Sequence, residues 1–167
     1  MEGKKVEVSS VTMAQVMEPQ DVNPAGNVHG GVIMKLIDDT AGVVASRHAR
    51  TNAVTASIDR LDFHNPVFVG DLLFLKGSLN MVGRTSMEIG GRVEAENLIT
   101  GHIRHTASAY LTFVALDKEG KPCPVPPLVL ETEEEMRRNR EAQIRRELRL
   151  KEKQQEKQCQ LDPGKCK

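Results

Sequence analysis

Apolar positions recur with a helical period along residues 29–48 and alternate with the period of a strand along residues 52–116. Stepping about 100° per residue from Lys35 puts Lys35, Asp38, Asp39, Gly42 and Ser46 on one side of a helix from about His29 to about His48. Ile33, Leu36, Ile37, Thr40 and Val44 fall on the other side, a stripe wide enough for a mostly buried helix. Asp38 sits at the border of that stripe, beside Met34, Ala41 and Ala45, and Asp39 lies nearer the middle of the polar side. Further on, Val54, Ala56 and Ile58 alternate with Thr55, Ser57 and Asp59. Leu73, Leu75, Leu79 and Met81 share a face, as do Met87, Ile89, Val93 and Ala95, and then Ile103, Ala107, Ala109, Leu111 and Phe113. Breaks fall at Asn65-Pro66, Val69-Gly70-Asp71, Val82-Gly83 and Asn97 to Gly101. Short breaks join antiparallel neighbours, and no helical stretch separates these strands, which excludes a parallel βαβ sheet. Residues 1–16 carry a weaker strand pattern, Val6 and Val8 against Glu7 and Ser9. The pattern predicts an α+β fold in which a curved antiparallel sheet of about five strands wraps one long helix. The uncovered face and edges of such a sheet predict an oligomer.

Residues 18–31 are rich in Pro, Gly, Asn and Asp and read as an ordered loop with tight turns. Pro122, Pro124, Pro126 and Pro127 make residues 117–130 an extended linker. Thr132-x-x-Glu135 is a capping box, and Glu131, Glu133, Glu134 and Glu135 suit the positive end of a helix dipole. Glu133–Arg137, Glu134–Arg138, Glu141–Arg145 and Glu147–Lys151 are spaced as i,i+4 pairs. Met136, Ile144, Leu148 and Leu150 are the apolar positions, which predicts a surface helix with a thin docking stripe, fraying into a disordered end near residue 158. The chain divides into one domain over residues 1–130 and a charged C-terminal helix and tail over 131–167.

Charge and composition narrow the function. Lys+Arg and Asp+Glu are both 23, so the chain has no global pull on polyanions. With four Phe, one Tyr and no Trp it has little material for stacking bases, so nucleic acid is not the expected partner. The N-terminus has no apolar h-region, and no apolar run approaches the roughly 18 residues of a membrane span. Cys123, Cys159 and Cys166 are odd in number and form no C-x-x-C pair, which argues against a disulfide framework or a zinc site. A soluble protein of the reducing cytoplasm is expected.

Three segments could carry chemistry. Asn23-Pro24-Ala25-Gly26-Asn27-Val28-His29-Gly30-Gly31 opens directly into the long helix. Free N–H groups in a first helical turn can polarise a carbonyl or hold an anion, and glycines let a ligand approach. The alternative is a loop that needs glycines to turn and Asn27 to cap. Asp38 and Asp39, about 100° apart, cannot share one proton, so at most one faces a buried site. Asp38, at the apolar border, is the better base, and the alternative is two solvated carboxylates with one paired to Lys35. Arg84, with the hydroxyls of Thr85 and Ser86, suits a phosphate, or else caps an ordinary hairpin. His29, His48, His64, His102 and His105 have no metal spacing, and no metal is assigned. With no G-x-S-x-G elbow and Cys123 in a proline-rich segment, a water-based mechanism is favoured over a Ser or Cys triad.

The stretch Asn23-x-x-Gly26-Asn27-x-His29-Gly30-Gly31, then Met34-Lys35-Leu36-Ile37-Asp38-Asp39-x-Ala41-Gly42 and Ala45-x-Arg47-His48, resembles the acyl-CoA thioesterases of the hotdog fold. It is most similar to the cytosolic long-chain acyl-CoA hydrolases of the brain type and their bacterial single-domain counterparts. Thr51-Asn52-x-Val54-Thr55-Ala56-Ser57, Ser86-Met87-Glu88-Ile89 and Glu119-Gly120-Lys121-Pro122-x-Pro124-Val125-Pro126 extend the likeness over roughly residues 10–135. The resemblance implies a hotdog fold and a dimer with a continuous sheet, assembled further as a trimer of dimers. It implies hydrolysis of acyl-CoA, with coenzyme A as part of substrate and product and no other cofactor. Asp38 matches the family's helix acid, as general base or nucleophile, and Asn23 its loop asparagine, the two coming from different protomers. The N–H of Gly31, or of Gly30, would polarise the carbonyl, with His29 at the same helix start among the substrate-binding residues. Arg84 and Ser86 fall where relatives contact the CoA nucleotide. A non-catalytic acyl-CoA binder or sensor is the main alternative, although a pure binder needs no base. A hotdog dehydratase is a third, without its histidine-plus-acid motif.

Overall fold

The computed structural model describes residues 1–162. The chain forms β1 (Lys4–Lys5), a single helical turn α1 (Val6–Ser9), β2 (Val11–Val16), α2 (Gly30–Ala49), β3 (Asn52–Phe63), β4 (Asp71–Val82), β5 (Ser86–Asn97), β6 (Ile103–Leu116), β7 (Leu128–Val129) and α3 (Glu133–Leu161). Five strands make one antiparallel sheet in the order β2-β4-β5-β6-β3, and β1 pairs with β7 in parallel. Val6 and Val8 lie in α1 instead of the weak strand their alternation predicted, and the strand follows at Val11. Among the described residues no helix is long and apolar enough to cross a membrane.

Alternation places the core. Leu73, Leu75, Leu79, Met87, Ile89, Val93, Ala107, Ala109, Leu111 and Phe113 all point to one face and are buried there. Ile33, Leu36, Ile37, Ala41 and Val44 of α2 press into that face, the stripe read from the helical period. Gly77 interrupts the leucine row where α2 comes nearest: a Cβ there would stand 3.1 Å from Thr40 and Val44 methyls. Ile103 does not join this face and is exposed. A bulge at Val93/Glu94 sets Thr106 as an extra residue in β6 and inverts the phase before it.

Helix α2 ends in a way that costs stability. Its C-cap, Arg50, has φ +56°, a left-handed conformation natural to glycine. Arg50→Gly is expected to raise stability by about 1 kcal/mol, read as a higher denaturant midpoint with unchanged activity. Two residues earlier His48 is fully buried, its Nε2 2.8 Å from the Pro126 carbonyl, and burial holds its pKa below the usual 6.5. The unfolded chain takes up a proton below pH about 6.5 that the folded chain resists. Stability is therefore full above that pH and falls as the pH drops, by up to about 1.4 kcal/mol per pH unit. Unfolding curves at pH 7.5 and 5.5 should show this loss, and His48→Gln should flatten it.

Helix α3 does not dock as its apolar residues predicted. The capping box forms: Thr132 Oγ1 accepts from the Glu135 N–H and Glu135 accepts from the Thr132 N–H. Met136, Ile144, Leu148 and Leu150, however, face solvent, and the one buried residue described in α3 is Ala142. Its opposite, basic side meets the outer face of the sheet. Arg138 donates to Ser78, Asn139 to the Asn80 carbonyl, Arg145 to Glu88 and Arg149 to Asp59. Glu134–Arg138 forms as spaced, but Arg137 bonds Glu134 and Glu141, and Arg145 leaves Glu141 for Glu88. The helix runs to Leu161, past the expected fraying point at 158, and residues 163–167 of the expected disordered end lie outside the described residues. Cys159 is disulfide-bonded, although the odd cysteine count argued against disulfides.

Candidate active site

The loop before α2 is tied by its own backbone. Val22 and Val28 bridge, the Asn23 N–H donates to the Asn27 carbonyl, and Gly26 turns with φ +86°. Asn23 Oδ1 accepts from the Ala25 N–H at 2.9 Å, which leaves its amide NH2 as the outward donor. Asn23, Asn27, Gly30, Phe63 and His64 line one cavity of about 310 Å3. Asn27 Oδ1 is buried without a hydrogen-bond partner among the described residues. His29 caps the helix: its Nδ1 accepts from the Gly31 N–H at 2.9 Å, which fixes the proton on Nε2. The N–H expected to face a carbonyl is thus held by this ring.

Asp38 lies elsewhere, eight residues along α2 from Gly30 and about 12 Å further up the helix. The adjacent carboxylates have separated as the wheel required. Asp39 is paired to Lys35 at 2.6 Å, while Asp38 has no cation among the described residues. Asp38 Oδ1 accepts a 2.6 Å hydrogen bond from Thr55 Oγ1 on β3. It opens on a second, shallow cavity of about 670 Å3 with Gly42, Val43, Val54, Thr55 and Phe113. Thr55 was not singled out by sequence reasoning. Its signal was present as a polar residue on the alternating face of β3, but only the crossing of α2 over that strand shows that it meets Asp38. Arg84 lines a third groove at the turn between β4 and β5, with Ser86 three ångströms from where a Gly83 side chain would begin. One chain therefore gathers Asn23, His29, Gly30 and Gly31 at one end of α2 and sets Asp38 apart from them.

What lies between is a sheet edge. β3 borders the five-stranded sheet over 12 residues with no strand beyond it. Val54, Ile58 and Phe63 on β3 and Met34 and Val43 on the neighbouring helix are exposed. A long, apolar, unpaired edge is a ready template for another strand. Among the described residues no group of three His, Cys, Asp or Glu is placed to hold a metal.

This helix-on-sheet frame with an acid at mid-helix defines a class. The chain belongs to the thioesterase superfamily, whose model matches residues 25–101. It is similar to a Bacillus subtilis protein called an uncharacterized acyl-CoA thioester hydrolase, 44% identical over 128 residues, 77% of this chain and 74% of that one. It is 41% identical over 156 residues to the cytosolic acyl coenzyme A thioester hydrolase of Rattus norvegicus, 92% of this chain and 41% of that protein. The chain thus spans about two fifths of the length of that relative. Among solved structures, an apo-hexameric acyl-CoA thioesterase matches with TM-score 0.88 and 41% identity, over 91% of this chain and 97% of that chain. An acyl-CoA hydrolase from Staphylococcus aureus in complex with butyryl coenzyme A and coenzyme A matches with TM-score 0.86 and 34% identity, over 93% and 94%. Solved variants of the Staphylococcus aureus enzyme replace an aspartate, an asparagine and a threonine by alanine.

Proposed function

We propose that this protein is an acyl-CoA thioesterase, cleaving acyl-CoA to free fatty acid and coenzyme A in a site shared by two copies of the chain. One observation carries the reading: Asp38 is held by Thr55 without a countercharge, in a cavity open at the free edge of β3. A carboxylate in that setting keeps a free oxygen for a proton or a carbonyl carbon. The three residue types altered in the Staphylococcus aureus enzyme, aspartate, asparagine and threonine, are those of Asp38, Asn23 and Thr55.

Pairing two β3 edges antiparallel about a two-fold axis completes the geometry. It sets the Phe63 end of one strand beside the Thr55 end of the other. The Asn23 cavity of one copy then adjoins the Asp38 cavity of its partner, twice per dimer. Exposed Val54, Ile58, Met34 and Val43 become covered in the same step. The hexameric relative supports further assembly of such dimers, a trimer of dimers. Residues 1–130 form the catalytic domain and 131–167 its extension, and the cytosolic relatives support work in the cytoplasm.

In the reaction the thioester carbonyl lies against the first turn of α2, taking the N–H of Gly30 or displacing the His29 ring from the N–H of Gly31. Asn23 donates its amide to that oxygen or to the attacking water. Asp38 takes a proton from water as the water oxygen bonds the carbonyl carbon. Alternatively its own oxygen attacks, and water then releases the acid. Either way the C–S bond breaks, and the sulfur leaves with the electron pair and gains a proton. No other cofactor is needed. Thiol release from a panel of acyl-CoAs, short to long, tests the reading. Turnover on part of the panel is expected. Tight binding with no turnover would show a non-catalytic acyl-CoA binder instead.

A further inference from the structure

Strand β3 changes sides part-way along its length. Thr55 pairs with Phe113, which is buried on the α2 face of the sheet, and Ser57 pairs with the next residue, Thr112, on the other face. Opposed residues in an antiparallel pair point to the same face, so Thr55 is turned toward α2 and Ser57 toward α3. Plain alternation would put both on one face. Ala56 is the extra residue that reverses the phase, and Asp59 is a second one, between the pairs Ile58–Leu111 and Arg60–Tyr110. Little within the strand fixes this phase. β3 is an edge strand with β6 as its one neighbour in the chain. Ala53 and Leu61 lean on the core, but no residue of β3 is fully buried. Register is weakly specified where neither face is firmly buried, and a slip of one residue would turn Thr55 away from Asp38.

The fastening lies on the outer face. Asp59, in the second bulge, accepts from donors on three elements: Ser57 Oγ of β3 at 2.6 Å, Thr112 Oγ1 of β6 at 2.8 Å, and Arg149 Nη1 of α3. The Arg149 and Asp59 side chains are 17% and 11% exposed, so this pair is shielded from water, unlike the half-exposed pairs of Arg137. One carboxylate thus ties the residue between the two bulges to the neighbouring strand and to the C-terminal helix. We propose that Arg149 and Asp59 are positioning residues for the hydrolysis, locking the double bulge of β3 so that Thr55 Oγ1 is aimed at Asp38. Helix α3 then acts on the chemistry through the strand, without touching substrate. This inference rests on the thioesterase reading.

The test is a double-variant cycle with Thr55. Arg149→Ala is expected to lower kcat about tenfold and to leave KM within about twofold. Arg149→Lys should recover part of the loss. Arg138→Ala, which frees α3 from Ser78 on β4 instead, should leave kcat unchanged. In a Thr55→Ala background Arg149→Ala should cost nothing further in kcat, because the residue it aims is gone. The same loss with and without Thr55, or no loss, overturns the lock. Melting temperatures run the cycle without turnover. Thr55→Ala should lower the melting point by roughly 2–4 °C in the wild type and by less than about 1 °C in the Arg149→Ala background. Equal shifts in the two backgrounds overturn the lock. Should the wild type cleave no acyl-CoA, the thioesterase reading fails, while this thermal cycle still decides whether Arg149 holds Thr55 on Asp38. Asp59→Asn, a smaller cut at the same bulge, should give the same pattern and replaces Arg149→Ala if that variant does not fold.

Discussion

Asp38→Asn should lower kcat for acyl-CoA hydrolysis about a thousandfold while the oligomer stays intact. The substitution keeps the size and the Thr55 hydrogen bond but removes the lone pair that takes a proton or attacks carbon. Loss of a positioned base costs about 10²–10⁴ in rate, and loss of a nucleophile is no smaller. KM should change little, because the carboxylate acts on the reacting atoms and not on the rest of the substrate. Asp39→Asn is the control: it removes a carboxylate already paired to Lys35 on the polar side, and activity should stay within about twofold. Thiol release and size-exclusion mass on the same preparations check both expectations. A fully active Asp38→Asn variant would remove this carboxylate from the chemistry.

Arg145→Ala should unfold the protein about 10 °C earlier. Glu88 is fully buried, and Arg145 Nη2 donates to its Oε1 at 2.6 Å while the guanidinium lies 3.8 Å over the Tyr110 ring. Asn80 Nδ2 is the second donor to Glu88, at 3.1 Å. Truncating the arginine leaves a buried carboxylate with one neutral donor, a change that costs about 3 kcal/mol or more. In a chain of this size each kcal/mol moves the melting point by roughly 2–4 °C. The double variant Glu88→Gln, Arg145→Ala removes the uncompensated charge and should recover most of the loss. Arg140→Ala, on the exposed side, should shift it by less than about 1 °C. Equal losses in the single and double variants would mean that packing on Tyr110, not the charge, fixes α3.

The same two sites show what the linear pattern could and could not reveal. Period alone found α2 and the four long strands: α2, β4, β5 and β6 bury one face each, with burial repeating at 3.6 or 2 residues, while β3 keeps the alternation with no residue fully buried. It also put Asp38 at the border of the apolar stripe and Asp39 outside it, and the Thr55 and Lys35 contacts follow that division. For α3 the same logic pointed to the wrong face. An apolar stripe docks on an apolar surface, but the outer face of this sheet carries Asp59, Asn80, Glu88 and Tyr110, so the arginine side fits it better. That polarity belongs to four separate strands and appears only once they are laid side by side. Ile103 was misplaced for a related reason, since one bulge reverses a strand's faces without leaving a mark in composition. The family resemblance implies that Asn23 and Asp38 meet from different protomers; within one chain they line separate cavities, Asp38 eight helical residues beyond Gly30.

Complementation between two variants tests the shared site most directly. Asn23→Ala and Asp38→Asn should each be nearly inactive alone. Co-expressed with different tags and purified as mixed oligomers, random pairing makes about half of the dimers heterodimers, each with one intact site of two. About a quarter of wild-type activity should return. Mixed oligomers as inactive as the parents would show that both residues act within one chain, and would contradict the composite site.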